Sequence, residues 1–147
     1  MHDVVIKIIN NSGNDLPEYA TFGSAGLDIR ACIDSAIVLQ PFERAMIPTG
    51  LFFEIPFGYE AQVRPRSGLA INQGITCLNS PGTIDSDYRG EIKVILINLS
   101  LQAQTINNGE RIAQVVMSKV EKALLQTSEH LEESLRGEGG FGHTGSH

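Results

Sequence analysis

Breakers recur along this chain at intervals too short for helices of ordinary length. Gly13, Pro41, Gly50, Pro56-Phe57-Gly58, Gly68, Gly74, Ser80-Pro81-Gly82, Gly90 and Asn107-Asn108-Gly109 cut it into brief runs. Within the runs the period is two. Leu27, Ile29, Ala31 and Ile33 alternate with Asp28, Arg30 and Cys32, and Tyr59, Ala61 and Val63 alternate with Glu60, Gln62 and Arg64. Apolar residues at every second position put one face of a strand on a core and the other toward water. Further β-like runs are Val4–Ile9, Ile37–Leu39, Ala45–Pro48, Leu51–Ile55, Ile75–Leu78, Glu91–Asn98 and Arg111–Met117. Many short strands punctuated this way predict an all-β sandwich or barrel and argue against a parallel α/β fold.

Two segments have helical potential. Gly68 to Gln73 is long enough for one or two turns. In Ser118 to Leu135, Val120, Leu124, Leu131 and Leu135 suit a helical stripe, while Val120 to Thr127 equally suits a last strand. A strand followed by a helical turn is expected there. No linker and no internal repeat divides the chain, and 147 residues accommodate one domain with a proper core. The expected division is a β-barrel domain over 1–135 and a mobile tail over 136–147. The tail carries five glycines and a single aromatic, Phe141, so it cannot pack a core alone.

Composition narrows the function. Seventeen acids against eleven bases leave a net charge of −6, which disfavours nucleic acid as a partner. No apolar run approaches the ~20 residues of a membrane span, and the N-terminal run is too short and interrupted for a signal peptide. A cytoplasmic protein is expected, with Cys32 and Cys77 as buried thiols. Seven of the eleven bases are arginines, and Arg30, Arg64, Arg66, Arg111 and Arg136 lie in or beside turn-rich segments. Arginine suits forked recognition of phosphate or carboxylate. The pattern fits a small polyanion as ligand, or scattered surface charge.

Five segments carry candidate chemistry. In Ser24–Ala31, Asp28 and Arg30 share a strand face, as an ion pair or the edge of a polar site. In Arg64–Ala70, Ser67 and Gly68 open a short helix, where free amides, a hydroxyl and a guanidinium make an anion site or Ser67 is simply the N-cap. Leu78–Gly90 reads as a hairpin around Pro81-Gly82, with Asp85 and Asp87 on one face if extended and Tyr88 beside them. Paired carboxylates bind metals or activate water, but the spacing is not that of a calcium loop. In Gly109–Val116, Gln114 is polar among apolar neighbours and must be hydrogen-bonded, by protein or by ligand. Arg136–Gly145 is Gly-rich beside an arginine, without the P-loop or dinucleotide fingerprints.

In this order and spacing, the five segments resemble the five motifs of the trimeric dUTPases, and the resemblance spans Ala25 to Gly145. It implies a jelly-roll-like β-barrel, a homotrimer with shared active sites, and Mg²⁺-dependent hydrolysis of dUTP to dUMP and diphosphate. Asp85 then corresponds to the residue that activates the attacking water. Asn79 and the hairpin around it, with Gly82, Thr83, Ile84 and Lys93, correspond to substrate-binding positions that read uracil through the backbone. Tyr88 corresponds to the ring packed on deoxyribose. Arg66, Ser67 and Gly68 match the motif that holds the phosphate chain, and Gln114 matches a further phosphate-side contact. In the tail, Arg136 matches a γ-phosphate contact, Phe141 the ring stacked over uracil, and Gly142, His143 and Thr144 the loop against the phosphates. Position 143 is often Ser in this motif. Mg²⁺ is expected on the triphosphate and water, with Asp28 near its water shell and no direct protein ligand. A dCTP deaminase of similar fold and a non-catalytic trimeric regulatory module are the rival readings; the Arg-Ser-Gly-Leu-Ala and Asp-Ser-Asp-Tyr forms favour the dUTPase.

Overall fold

The computed structural model describes residues 3–141. Ten strands and one short helix are found among them. One four-stranded sheet runs in the order β1 (Lys7–Asn10), β4 (Arg44–Glu54), β8 (Glu91–Asn98), β6 (Ile75–Cys77). A second runs β2 (Gly26–Arg30), β10 (Arg111–Lys119), β5 (Tyr59–Arg64), β7 (Gly82–Ile84). A ribbon of β3 (Ile37–Leu39) and β9 (Gln104–Ile106) completes the set, and every pairing is antiparallel. The expected all-β, jelly-roll-like class holds.

The core follows from the alternation. On β8, Ile92, Val94, Leu96 and Asn98 are buried while Lys93 faces outward. Ile29 and Val115 come from the second sheet and Ile47, Ile75 and Leu96 from the first, all within one buried cluster. Each fully buried aliphatic side chain contributes about 1.5–3 kcal/mol.

Several expectations need correction. The runs Ala45–Pro48 and Leu51–Ile55 fuse into the single strand β4, because Gly50 is absorbed in an irregularity between Pro48 and Phe52. Thr49 Oγ1 donates to the carbonyl of Ile92 (2.6 Å) and accepts from the amide of Leu51 (3.2 Å), carrying the ladder across it. The hairpin at Pro81 is no two-stranded ribbon. Its flanking strands serve different sheets: β6 closes the edge beside β8 and β7 the edge beside β5, so each short run covers a different exposed edge. Residues 120–141 hold neither strand nor helix. The leucines at 124, 125, 131 and 135 are almost wholly exposed, and a short helix with nothing to pack against gains too little to form. Cys77 is buried, and burial pushes its thiol up to about 11. Cys32 is only half-buried, contacting the carbonyl of Ser12.

Although the sequence shows no repeat of fold size, one corner is built twice. Asn10 Oδ1 accepts from the amide and hydroxyl of Ser12 (3.0 and 2.6 Å), and Asn98 Oδ1 does the same with Ser100 (2.9 and 2.7 Å). Their amide nitrogens donate to the carbonyls of Asn14 and Gln102, each at 2.7 Å. Each corner rests on a glycine of positive φ, Gly50 (69°) and Gly74 (65°). The carbonyls of these glycines take the amides of Asn11 and Leu99, both at 2.8 Å. A Cβ on Gly50 would lie 2.8 Å from Ser12 Cα, and one on Gly74 2.9 Å from the Ser100 amide nitrogen, so only glycine fits at either place.

Candidate active site

The second sheet sets out an anion-binding half. Pairing places Asp28 on β2 opposite Gln114 on β10, and Gln114 opposite Arg64 on β5. The Gln114 side-chain nitrogen donates to the carbonyl of Pro65 (3.4 Å), so this donor is satisfied within the protein. A Cβ on Gly26 would displace the Gln114 side-chain amide from its present position. Asp28 does not pair with Arg30. Its Oδ1 accepts from Arg66 Nε (3.0 Å) and its Oδ2 from Arg111 Nη1 (3.4 Å), while Arg30 turns away to the carbonyl of Gly109 (2.7 Å). The register shift between Arg111 and Ala113 brings the Arg111 side chain to Asp28. Arg66 Nη1 also reaches the Arg111 carbonyl (3.2 Å).

From Arg66 the chain enters α1 (Ser67–Gln73). Arg66, in extended conformation, occupies the cap position with no side-chain cap, so Ser67 is the first helical residue and not the N-cap. Ser67 and Gly68 are both exposed, and a Cβ on Gly68 would meet nothing, leaving open space for a ligand.

A second half surrounds a cleft of about 230 Å³ whose wall includes Met46, Thr83, Ile84, Asp85, Tyr88 and Lys93. Asp85 to Tyr88 form a turn, with the Tyr88 amide on the Asp85 carbonyl (3.2 Å), so Asp85 and Asp87 do not share a strand face. Asp85 is exposed, and none of the ion pairs among the described residues involves it. An unpaired, hydrated carboxylate is available to accept a proton from water. The hydroxyl end of the Tyr88 ring is fixed by a hydrogen bond and by packing over Gly90. Its hydroxyl donates to the Glu91 carbonyl (3.0 Å), and a Cβ on Gly90 would lie 2.5 Å from its Cζ. Buried Gly82 leaves room for Asn79, whose amide nitrogen would stand 3.1 Å from an added Cβ. Lys93 lies 3.8 Å from Glu91.

The two halves stand apart in one chain. Ile84 is paired with Ala61 and Gly82 with Val63, so Asp85 lies beside the entrance of β5 and Ser67 beyond its exit. At ~3.3 Å per residue, the strand separates them by roughly 20 Å. The tail joins neither. Residues 121–138 are exposed, Arg136 Nε donates to the Gly139 carbonyl (2.6 Å), and Phe141 points to solvent; Gly142, His143 and Thr144 lie outside the described residues. Among the described residues no cluster of three His, Cys, Asp or Glu is poised for a metal. Arg111, absent from the motif-based site, joins it only through the fold: it lies 83 residues from Asp28.

The family model for dUTPase matches residues 13–145. The deoxyuridine 5′-triphosphate nucleotidohydrolase of Cytophaga hutchinsonii is 61% identical over 140 residues, covering 95% of this chain and 91% of the relative. That of Fusobacterium nucleatum is 57% identical over 145 residues, 99% of both chains. The solved dUTPase of Staphylococcus bacteriophage 80alpha with dUpNHpp is 28% identical with a TM-score of 0.86, covering 96% of this chain and 98% of the phage one.

Proposed function

This chain belongs to the dUTPase family, and on that premise we propose how its separated halves serve one reaction. It is a deoxyuridine 5′-triphosphate nucleotidohydrolase: water attacks the α-phosphorus of dUTP, the bond to the bridging oxygen breaks, and dUMP and diphosphate leave. The reaction keeps dUTP away from DNA synthesis and supplies dUMP for thymidylate. The cleft at Asp85 and Tyr88 takes the deoxyuridine of dUTP. Asp85 orients the water and accepts its proton. Tyr88, pinned between Gly90 and the Glu91 carbonyl, leaves no space for a 2′-hydroxyl. Asn79, Gly82, Thr83, Ile84 and Lys93 frame the base and sugar. Arg66, Ser67, Gly68 and Gln114 hold the phosphates, and the tail from Arg136 to Thr144 closes over the nucleotide to exclude water.

The observation that carries a shared site is the separation of Asp85 and Ser67 along β5. A nucleotide that meets both motifs must lie between subunits. Apolar residues on the outer side of the first sheet support a homotrimer, for Ile9 opposite Phe52 and Met46 opposite Ile95 are left uncovered in one chain. So do the bare leucines of residues 120–135, which a neighbour would cover. In this reading the packed domain extends to 135 in the assembly, with 136–147 as the lid.

The donor set fits Mg²⁺ carried by the substrate. Both oxygens of Asp28 are engaged by guanidinium groups, so this carboxylate faces a cation through water. When bound, Mg²⁺ neutralises charge developing on the phosphate oxygens. None of the described helices is long and apolar enough to cross a membrane, which fits a cytoplasmic setting. Diphosphate release measured across the deoxynucleoside triphosphates, with and without Mg²⁺, tests the reading. Release confined to dUTP supports it; ammonia from dCTP would replace it with the deaminase.

A further inference from the structure

Arg66 is held in an incomplete grip. A guanidinium offers a carboxylate a side-on fork made of Nε and Nη2. Asp28 uses half of it: Oδ1 takes Nε at 3.0 Å, while Oδ2 turns to Arg111 Nη1 at 3.4 Å. Arg66 Nη1 is tethered to the Arg111 carbonyl at 3.2 Å. Nη2 has no acceptor among the described residues. The guanidinium plane is therefore fixed at two points, and one corner of the fork stays open.

We propose that Arg111 is a positioning residue for phosphate binding: by occupying Asp28 Oδ2 it stops Asp28 from closing the fork on Arg66, and so keeps Nη2 for a phosphate oxygen. The inference rests on the reading of Arg66 as a phosphate contact. Stability is not what this arrangement supplies, since the side chains of Asp28 and Arg66 are about a third exposed and that of Arg111 half exposed, and pairs so open to water contribute little. What it decides is which acceptor wins Nη2. Without Arg111, Oδ2 is freed on a carboxylate whose other oxygen already holds Nε, and a small rotation lets it take Nη2 and compete with the substrate. Two guanidiniums on one carboxylate also leave a positive charge unbalanced, as a polyanion site requires.

Calorimetry with dUpNHpp and with deoxyuridine, on intact assemblies checked by light scattering, tests this. Arg111→Ala should weaken dUpNHpp about tenfold and leave deoxyuridine unchanged, with KM for dUTP rising more than kcat falls. Arg111→Lys, which returns a cation to Oδ2, should recover most of the loss. The decisive arm is Asp28→Asn. In that background the competing negative oxygen is gone, so adding Arg111→Ala should cost much less than it does in the native chain. Equal losses in both backgrounds, or no loss from Arg111→Ala, overturn the proposal, because a contribution of bulk charge alone is additive. Arg66→Ala separates the two levels. If it leaves dUpNHpp affinity intact, the reading of Arg66 itself fails; if it weakens binding while Arg111→Ala does not, only the positioning role fails.

Discussion

Ile84 faces Ala61 across the ladder between β7 and β5, and this pairing puts Asp85 and Ser67 at opposite ends of one strand. In the proposed function Asp85 activates water and Ser67 holds phosphate, and at this separation the two would serve one nucleotide across a subunit boundary. Mixing complementary defects tests that. An Asp85→Asn chain and a chain truncated before Arg136 should each be nearly inactive, and co-refolding them should restore activity through sites with Asp85 from one chain type and the tail from the other. Mixed trimers that form and stay inactive would refute the shared site.

Asp85→Asn alone should lower turnover by a factor of about 10²–10⁴, the usual worth of a positioned acid or base. Binding of dUpNHpp should stay close to that of the unmodified chain, since the amide keeps the shape of the carboxylate. Near-normal turnover would remove Asp85 from the chemistry.

Tyr88→Ala should raise activity on UTP relative to dUTP, by about tenfold or more if the ring is the main barrier to a 2′-hydroxyl. The ratio of kcat/KM for the two substrates is the readout. Tyr88→Phe should raise it less, keeping the ring but losing the bond to the Glu91 carbonyl. A ratio unchanged in both would place the discrimination elsewhere.

The thiols should differ in reactivity. The nucleophile is the thiolate, and burial moves the Cys77 thiol from 9.0 to about 11. At pH 8, iodoacetamide should therefore modify Cys32 and reach Cys77 only after denaturation. The same shift has a stability consequence. With the folded value above the unfolded one, its contribution is fully present below pH 9 and is lost as pH rises toward 11, which urea titrations across that range, compared with a Cys77→Ala chain, would reveal.

Asn98→Ala should cost about 3 kcal/mol, because it strands the carbonyls of Leu39 and Gln102 and the amide of Ser100 in and around the core. Gly74→Ala should also destabilise, through positive φ and collision with Ser100. Thermal midpoints would rank both against Asn10→Ala, whose corner is half-buried and should cost less.

The strands legible in the chain are those long enough to alternate or apolar throughout. Glu91–Asn98 and Tyr59–Arg64 appear with their observed bounds because one face is buried along their whole length. Gly82–Ile84 and Gln104–Ile106 are three residues each with one large apolar residue apiece, whereas the equally short Ile37–Leu39 is legible because all three of its residues are apolar. Gly50 reads as a breaker locally, yet its positive φ is what lets β4 pass Ser12 without stopping. The leucines after Ser118 have helical spacing but no surface in their own chain to cover. At the site, Asp85, Tyr88 and Arg66 came through motif resemblance. One local rule fails there. Neighbours two apart on a strand suggested Asp28 with Arg30, whereas the fold carried Arg66 and Arg111 to Asp28 from 38 and 83 residues away. Such meetings leave no trace in local spacing.

The duplicated corner has a consequence for where this chain can be made. Asn10-Asn11-Ser12 and Asn98-Leu99-Ser100 both spell the acceptor sequence for N-linked glycans. In the finished fold Asn98 has no exposed surface, and its amide nitrogen is committed to two carbonyls. A sugar attached there during passage through a secretory compartment would arrive before the corner closes and would wedge it open. Routed to the cytosol, the same chain folds past the hazard, and its serines serve only to fasten turns.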